Sequence, residues 1–223
     1  MKKSTSIETL VNIMKKNGLS VMEVDDWWTP AMDYKLDSCG EASLERIKQA
    51  AGVYRMEGVD GYGYYYHLKP IEVTALKIGN KTWMVDDPLH WIGMQRLAEH
   101  CGKKTLCVGL GLGLVQHALA SEGKVFDTCE INIDVYNLML ENLPPKHGKI
   151  FLENIFELED KTMVRYGHYD TIILDIWAGD QKEVKYIDML SALFYIQQRA
   201  PQTKVYIWGI KDPQTNPACK KVR

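Results

Sequence analysis

The stretch from Thr105 to Glu130, TLCVGLGLGLVQHALASEGKVFDTCE, constrains the fold of this chain more than any other. Thr105-Leu106-Cys107-Val108 is a short apolar run that ends in Gly109-Leu110-Gly111-Leu112-Gly113. An apolar run of that length bounded by glycine reads as a strand buried on both faces. Beyond the glycines, Val115, Ala118 and Leu119 recur at helical spacing, and Gly123 fits the C′ stop of that helix. A second apolar strand over Val125 to Cys129 then ends on Glu130.

A strand, a glycine turn, a helix and a second strand ending in a carboxylate make a unit suited to an adenosine-containing cofactor. Glycine lets the backbone approach a ligand without an intervening Cβ. The helix N-terminus presents free N–H groups. A carboxylate about 20 residues past the first glycine can hold two ribose hydroxyls. A nicotinamide fingerprint wants Gly-x-Gly-x-x-Gly, but here Leu114 fills the sixth position and the third glycine falls one place early, at Gly113. A tight strand–helix turn with no ligand is the alternative reading of the glycines.

Composition narrows the class. A chain of 223 residues with 46% hydrophobic and 25% charged residues has the make-up of a globular protein with a substantial core, one domain plus an appendage. The formal net charge of −2 gives no bulk attraction to nucleic acid or anionic membrane. Five cysteines without a C-x-x-C pair fit reduced thiols in a cytoplasm. Met1-Lys2-Lys3 leads into polar Ser4-Thr5-Ser6 rather than an apolar signal segment, and no apolar run approaches the ~20 residues of a membrane span.

Ahead of the organising stretch, Ile7, Leu10, Val11 and Met14 predict a helix closed by Gly18, and Val21 to Val24 a short strand. Asp25 to Pro30 reads as a loop whose paired Trp27 and Trp28 either line a cleft or cap a core. Glu41 to Ala51 is expected to be a second short helix ended by Gly52. Val53 to Val85 reads as β structure, with Gly61 to Tyr66 a turn running into a strand, and with Ile71 to Ile78 and Lys81 to Val85 a hairpin about Gly79-Asn80. Asp87 as N-cap and Pro88 at N1 then start a helix running to about Glu99.

After it, the chain keeps alternating. Asp134 suits the N-cap of a helix that Pro144-Pro145 ends, and Lys149 to Leu152 is a third strand. Tyr169 to Asp175 is a buried strand ending in a carboxylate, with Trp177 just beyond it. Val184 to Arg199 is a long helix apolar around much of its circumference and expected to be well buried, and Lys204 to Ile210 is a fifth strand with Trp208 at its end. The division expected is residues 1–86 as N-terminal helices and β-hairpin, 87–212 as the α/β unit, and 213–223 as a polar tail. Either the fifth strand is a sheet edge, or another segment or a second copy in a homo-oligomer covers it. His67, His90, His100 and Cys101 match no zinc spacing.

The run CVGLGLG, the acid Glu130 in Glu-Ile-Asn-Ile-Asp-Val, and Tyr-Asp-Thr-Ile-Ile-Leu-Asp-Ile-Trp-Ala-Gly-Asp from Tyr169 to Asp180 resemble the class I S-adenosylmethionine (SAM) methyltransferase superfamily, in its spermidine synthase-like branch. The resemblance runs from about Ile71 to Lys211. It implies a Rossmann-like α/β fold with a parallel sheet of order 3-2-1-4-5, truncated after the fifth strand, with an N-terminal helical and β-hairpin appendage. It implies a cofactor held by Gly109, Gly111, Gly113, Glu130, Ile131, Asn154, Ile155 and Asp175. The glycines would take the methionine end, Glu130 the ribose and Asn154 with Ile155 the adenine, while Asp175 orients or deprotonates the acceptor. Asn154 stands where the family usually has aspartate, and an amide oxygen still accepts from the adenine amine. The expected function is SAM-dependent methyl transfer to a small-molecule acceptor. The alternatives are aminopropyl transfer from decarboxylated SAM and a non-catalytic relative that binds a nucleotide or a partner. Cys107, where methyltransferases often carry an acid, fits the aminopropyl branch; Val85 to Met94 lacks that branch's tyrosine and glutamine.

Overall fold

The computed structural model describes residues 6–24, 27–58, 61–176 and 184–208, without the side chains of 56–58, 61–63 and 184–189. Trp177, Asp180 and the polar tail lie outside the described residues. In chain order the elements are α1 (Ile7–Lys16), β1 (Val21–Glu23), β2 (Ser38–Cys39), β3 (Ala42–Gln49), β4 (Gly52–Gly58), β5 (Gly61–His67), β6 (Ile71–Ile78) and β7 (Lys81–Val85). They continue with α2 (Pro88–His100), β8 (Lys104–Val108), α3 (Leu114–Ser121), β9 (Val125–Glu130), α4 (Ile133–Met139), β10 (Ile150–Leu152), α5 (Leu158–Lys161), β11 (Thr171–Leu174), α6 (Val184–Arg199) and β12 (Lys204–Ile207).

Three sheets result among the described residues. The C-terminal one is parallel throughout, in the order β10-β9-β8-β11-β12. Its central strands β8 and β11 are buried on both faces. Leu106 and Val108 of β8, with Ile172 and Leu174 of β11, pack with Ala192 and Ile196 of α6. Cys107 and Ile173, on the alternate positions, join α2 and α3 on the other face. The N-terminal half forms two smaller sheets, β1-β5-β4 and β2-β3-β6-β7. One core runs without a break from Leu44 and Leu76 through Trp91, Met94 and Leu97 to Leu112, Leu114 and Val115.

Four expectations are corrected. Residues 42–49 are the strand β3, not a helix. The stretch Leu44 to Gln49 is rich in helix formers, but all eight residues of β3 pair antiparallel with β6, and Ala42 and Leu44 alternate inward. Asn132, not Asp134, is the N-cap of α4, its Oδ1 accepting from the N–H groups of Asp134 and Val135 at 2.9 and 3.2 Å. Asp134 instead accepts the Glu41 N–H at 2.9 Å, so it fastens β3 to the parallel unit. The described end of α6 is only half covered, with Ala192 and Ile196 buried and Phe194 58% exposed. Trp28 is 54% exposed and caps no core. The other boundaries follow their local chemistry. Ser6 caps α1, and Gly79 turns the β6–β7 hairpin at φ 58°.

Candidate functional site

The C-terminal ends of β8, β9 and β11 come together around the glycine turn. Gly109, Gly111 and Gly113 have φ of 97°, 50° and 66°, the left-handed region that an L side chain resists. Each empty Cβ position faces protein. A Cβ on Gly109 would overlap the Asp175 carbonyl oxygen. One on Gly111 would stand 2.5 Å from the Met84 Sδ, and one on Gly113 3.2 Å from Leu143 Cδ2. In this structure, then, the glycines make room for chain packing. Gly113 faces the core at the start of α3 rather than the strand ends.

Glu130 ends β9 and is 8% exposed. Its Oε2 accepts the Leu110 N–H at 2.9 Å, and its Oε1 accepts the N–H groups of Ile131 and Asn132 at 2.8 and 2.7 Å. The carboxylate thus clasps the glycine turn to the end of the neighbouring strand. Ile131, the next residue, is 68% exposed.

Asn154 follows β10, whose Leu152 pairs with Glu130. Its Oδ1 accepts the Phe156 N–H at 3.1 Å, forming a local turn, so one lone pair of that oxygen is already engaged. Ile155 is 4% exposed, its side chain in the core beside α6. Asp175 follows β11, partly buried, and its N–H donates to the Val108 carbonyl at 2.9 Å. Gly109, Gly111, Glu130, Ile131 and Asp175 therefore share one end of the sheet, with Asn154 at its β10 side. Gly113 and the Ile155 side chain turn inward.

Three features escaped the sequence. The first is Met84 of β7, which covers Gly111 and accepts the Leu112 N–H on its Sδ at 3.2 Å, joining the hairpin to the glycine turn. The second is the burial of the acidic pair at the start of α2, whose Asp87 is the N-cap expected from the sequence. Asp86 is fully buried and receives the Thr29 hydroxyl at 2.6 Å and the Thr74 N–H at 2.5 Å. Asp87 caps α2 through the N–H groups of Leu89 and His90, at 2.9 and 3.2 Å. Burial raises the two carboxyls to about 6 and about 7. Both are framework groups. The third is His90, whose ring lies 5.0 Å from that of Trp208 beyond β12. Its place in the first turn after Asp87-Pro88 was the available signal, but nothing local pointed to Trp208. No group of three or more His, Cys, Asp or Glu among the described residues could hold a metal ion. No helix among them is long and apolar enough to cross a membrane.

No protein-family model matches the chain, and no curated protein does. Among solved structures it is similar to the bifunctional kinase-methyltransferase WbdD, at 19% identity and a TM-score of 0.36, over 56% of this chain and 32% of that one. It is also similar to a Streptococcus mutans protein assigned as a SAM-dependent methyltransferase, at 14% identity and a TM-score of 0.37, over 66% of this chain and 44% of that one. A third is MNMC2 from Aquifex aeolicus, at 12% identity and a TM-score of 0.33, over 86% of this chain and 69% of that one. The chain thus spans about a third of the first structure and under half of the second.

Proposed function

We propose that this chain is a SAM-dependent methyltransferase acting on a small-molecule acceptor, with a class I fold. The observation that carries the reading is the clasp between the glycine turn and Glu130, with Ile131 exposed beside it. The sheet order β10-β9-β8-β11-β12 supports it, because the strand order reverses between β8 and β11, where open α/β sheets bind ligands. Glu130 would meet the ribose through the one lone-pair site its three N–H donors leave, and Ile131 would lie against the adenine. The turn at Gly109 and Gly111 would approach the methionine end, and Asn154 would meet the adenine edge. SAM supplies an activated methyl group, so the chain's own contribution is positioning and the removal of a proton from the acceptor. Asp175, at the end of β11 beside the Gly109 backbone, faces the reacting end in this arrangement.

A second reading is aminopropyl transfer from decarboxylated SAM, in the spermidine synthase-like branch. Met84 favours it. Its thioether already takes the Leu112 N–H, a donor that a methionine carboxylate would otherwise claim.

Calorimetry with SAM, its thioether product S-adenosylhomocysteine, decarboxylated SAM and NAD is the test. SAM or its product should bind more tightly than NAD. NAD binding more tightly than both would refute the proposal, and turnover of an amine only with decarboxylated SAM would replace it with the second reading.

A further inference from the structure

His90 is 9% exposed. Its Nδ1 lies 3.2 Å from the Val85 carbonyl oxygen, which can only accept, so Nδ1 carries the proton and Nε2 is a bare lone pair. That Nε2 is buried and has no hydrogen-bond partner among the described residues. Buried polar atoms are nearly always paired, and an orphan in a folded core calls for an explanation such as a catalytic role or an unseen ligand.

The surroundings say which. With Nδ1 tied back to the end of β7, Nε2 occupies the opposite edge of the ring, which is tilted 30° against Trp208. Trp208 donates its backbone N–H to the Leu174 carbonyl at 2.9 Å, which puts it level with Asp175 on the neighbouring strand. The orphan nitrogen therefore lies at the same end of the sheet as Asp175, on the side away from Glu130 and Ile131. That is where an acceptor would come in from beyond the cofactor's reacting end. Burial lowers the imidazole to about 4, so the ring is neutral at physiological pH.

We propose that His90 Nε2 binds the N–H or O–H of the acceptor substrate and takes its proton during transfer. This rests on the SAM-dependent reading above. The acceptor's lone pair forms a bond to the methyl carbon, and the C–S bond breaks with its electrons going to sulfur. The acceptor's proton passes to Nε2, and the imidazolium later releases it to water. The acceptor is accordingly an amine or a hydroxyl compound that must lose a proton, and a nucleophile that carries none has no use for this group. Asp175 then serves as the neighbouring negative charge rather than as the base.

Two-bond proton–nitrogen NMR on the full chain reads this directly, with His90→Asn assigning the resonances. His90 should show a protonated Nδ1 and a bare Nε2. Ethanolamine or phenol, added to protein saturated with S-adenosylhomocysteine, should move the Nε2 resonance and leave Nδ1 in place. A protonated Nε2, or an Nε2 that neither probe moves, overturns the assignment. The same titration without the thioether product keeps the two proposals apart. A product that fails to bind refutes SAM dependence, and the Nε2 response then judges the acceptor site by itself. Turnover of tritiated SAM with the responding probe completes the test. His90→Asn keeps a donor for Val85 and should lose about a hundredfold or more of turnover with SAM affinity unchanged. His90→Gln can place an amide oxygen near Nε2, so it should hold KM for the probe and lose kcat. Full turnover in both folded variants would overturn the proton-accepting role.

Discussion

Glu130 is a structural carboxylate in the fold, and the proposed cofactor contact makes a second demand on the same side chain. Its two oxygens receive three backbone N–H groups from both strands of the turn. A glutamine can satisfy the Oε1 pair with its own oxygen, but its amide nitrogen then meets the Leu110 N–H, donor against donor. Charge-assisted hydrogen bonds are worth roughly 1.5–3 kcal/mol. Glu130→Gln should therefore lower unfolding free energy by about 1–3 kcal/mol and weaken SAM about tenfold or more. Urea denaturation and calorimetry on the same preparation separate the two effects; unchanged SAM affinity in a folded variant would remove Glu130 from the cofactor site. Asp175 contrasts with it. Its backbone N–H is fixed by Val108, and the residue as a whole is only partly buried. Asp175→Asn should keep the fold and SAM affinity and slow transfer by about a hundredfold or more if the charge acts on the acceptor. A fully active Asp175→Asn enzyme would assign the residue to structure. The type and position of these two carboxylates could be read from the sequence, because each ends an apolar run. The N–H groups that Glu130 engages could not, because they depend on how the turn folds back over β9.

At the scale of elements, the start of α2 carries a pH dependence. Burial raises Asp87 to about 7 and Asp86 to about 6, above the usual carboxylate value of 3.8. A group whose folded value is raised binds its proton more tightly in the folded state. Its contribution is thus fully present below about pH 4 and is lost as pH rises towards 7. His90, lowered to about 4, works in the opposite sense between about 4 and 6.5. A substitution that removes only one of these titrations isolates it. Asparagine caps helices as well as aspartate and does not ionise. Asp87→Asn should gain stability relative to the parent as pH rises from about 4.5 to 8. The gain should exceed about 1 kcal/mol, since a tenfold difference in proton affinity between folded and unfolded chain is worth about 1.4 kcal/mol. Urea midpoints at the two pH values measure it, and a pH-independent difference would mean that Asp87 is ionised throughout. The helix itself was legible, since Asp-Pro marks a start. The burial of both carboxyls was not, because Thr29, in the loop before Pro30, and Thr74, on β6, reach Asp86 only once the chain is folded. The misreading of β3 as a helix has the same origin: its partner β6, not its own composition, decides its conformation.

Across the whole molecule, the hairpin and the parallel sheet are tied together at the point where the cofactor is proposed to sit. Met84 of β7 touches Gly111 and Leu112, Asp134 of α4 holds the Glu41 N–H, and one buried cluster joins Leu44 and Leu76 to Leu112 and Val115. Apart from the parallel β1–β5 pair, the strand pairs before residue 86 are antiparallel and those after it parallel, yet one buried cluster spans both sides. Cutting the chain at that place would remove Ala31, Tyr34, Leu44 and Leu76 from the cluster that buries Leu112, Leu114 and Val115, so the α/β portion alone should be markedly less stable. The intact chain should instead unfold as one unit. Tryptophan fluorescence reports Trp83 and Trp91 near the joint, and far-ultraviolet dichroism reports the helices; the two should give the same urea midpoint. A ligand that binds only the folded state stabilises it by mass action, about 2.7 kcal/mol at a hundredfold excess over Kd. S-adenosylhomocysteine at that excess should therefore move both signals by the same amount, although the proposed contacts lie almost wholly in the parallel sheet. Two separated transitions, with only the helical signal moving on ligand addition, would show that the hairpin and sheet fold independently and that Met84 merely rests on the glycine turn.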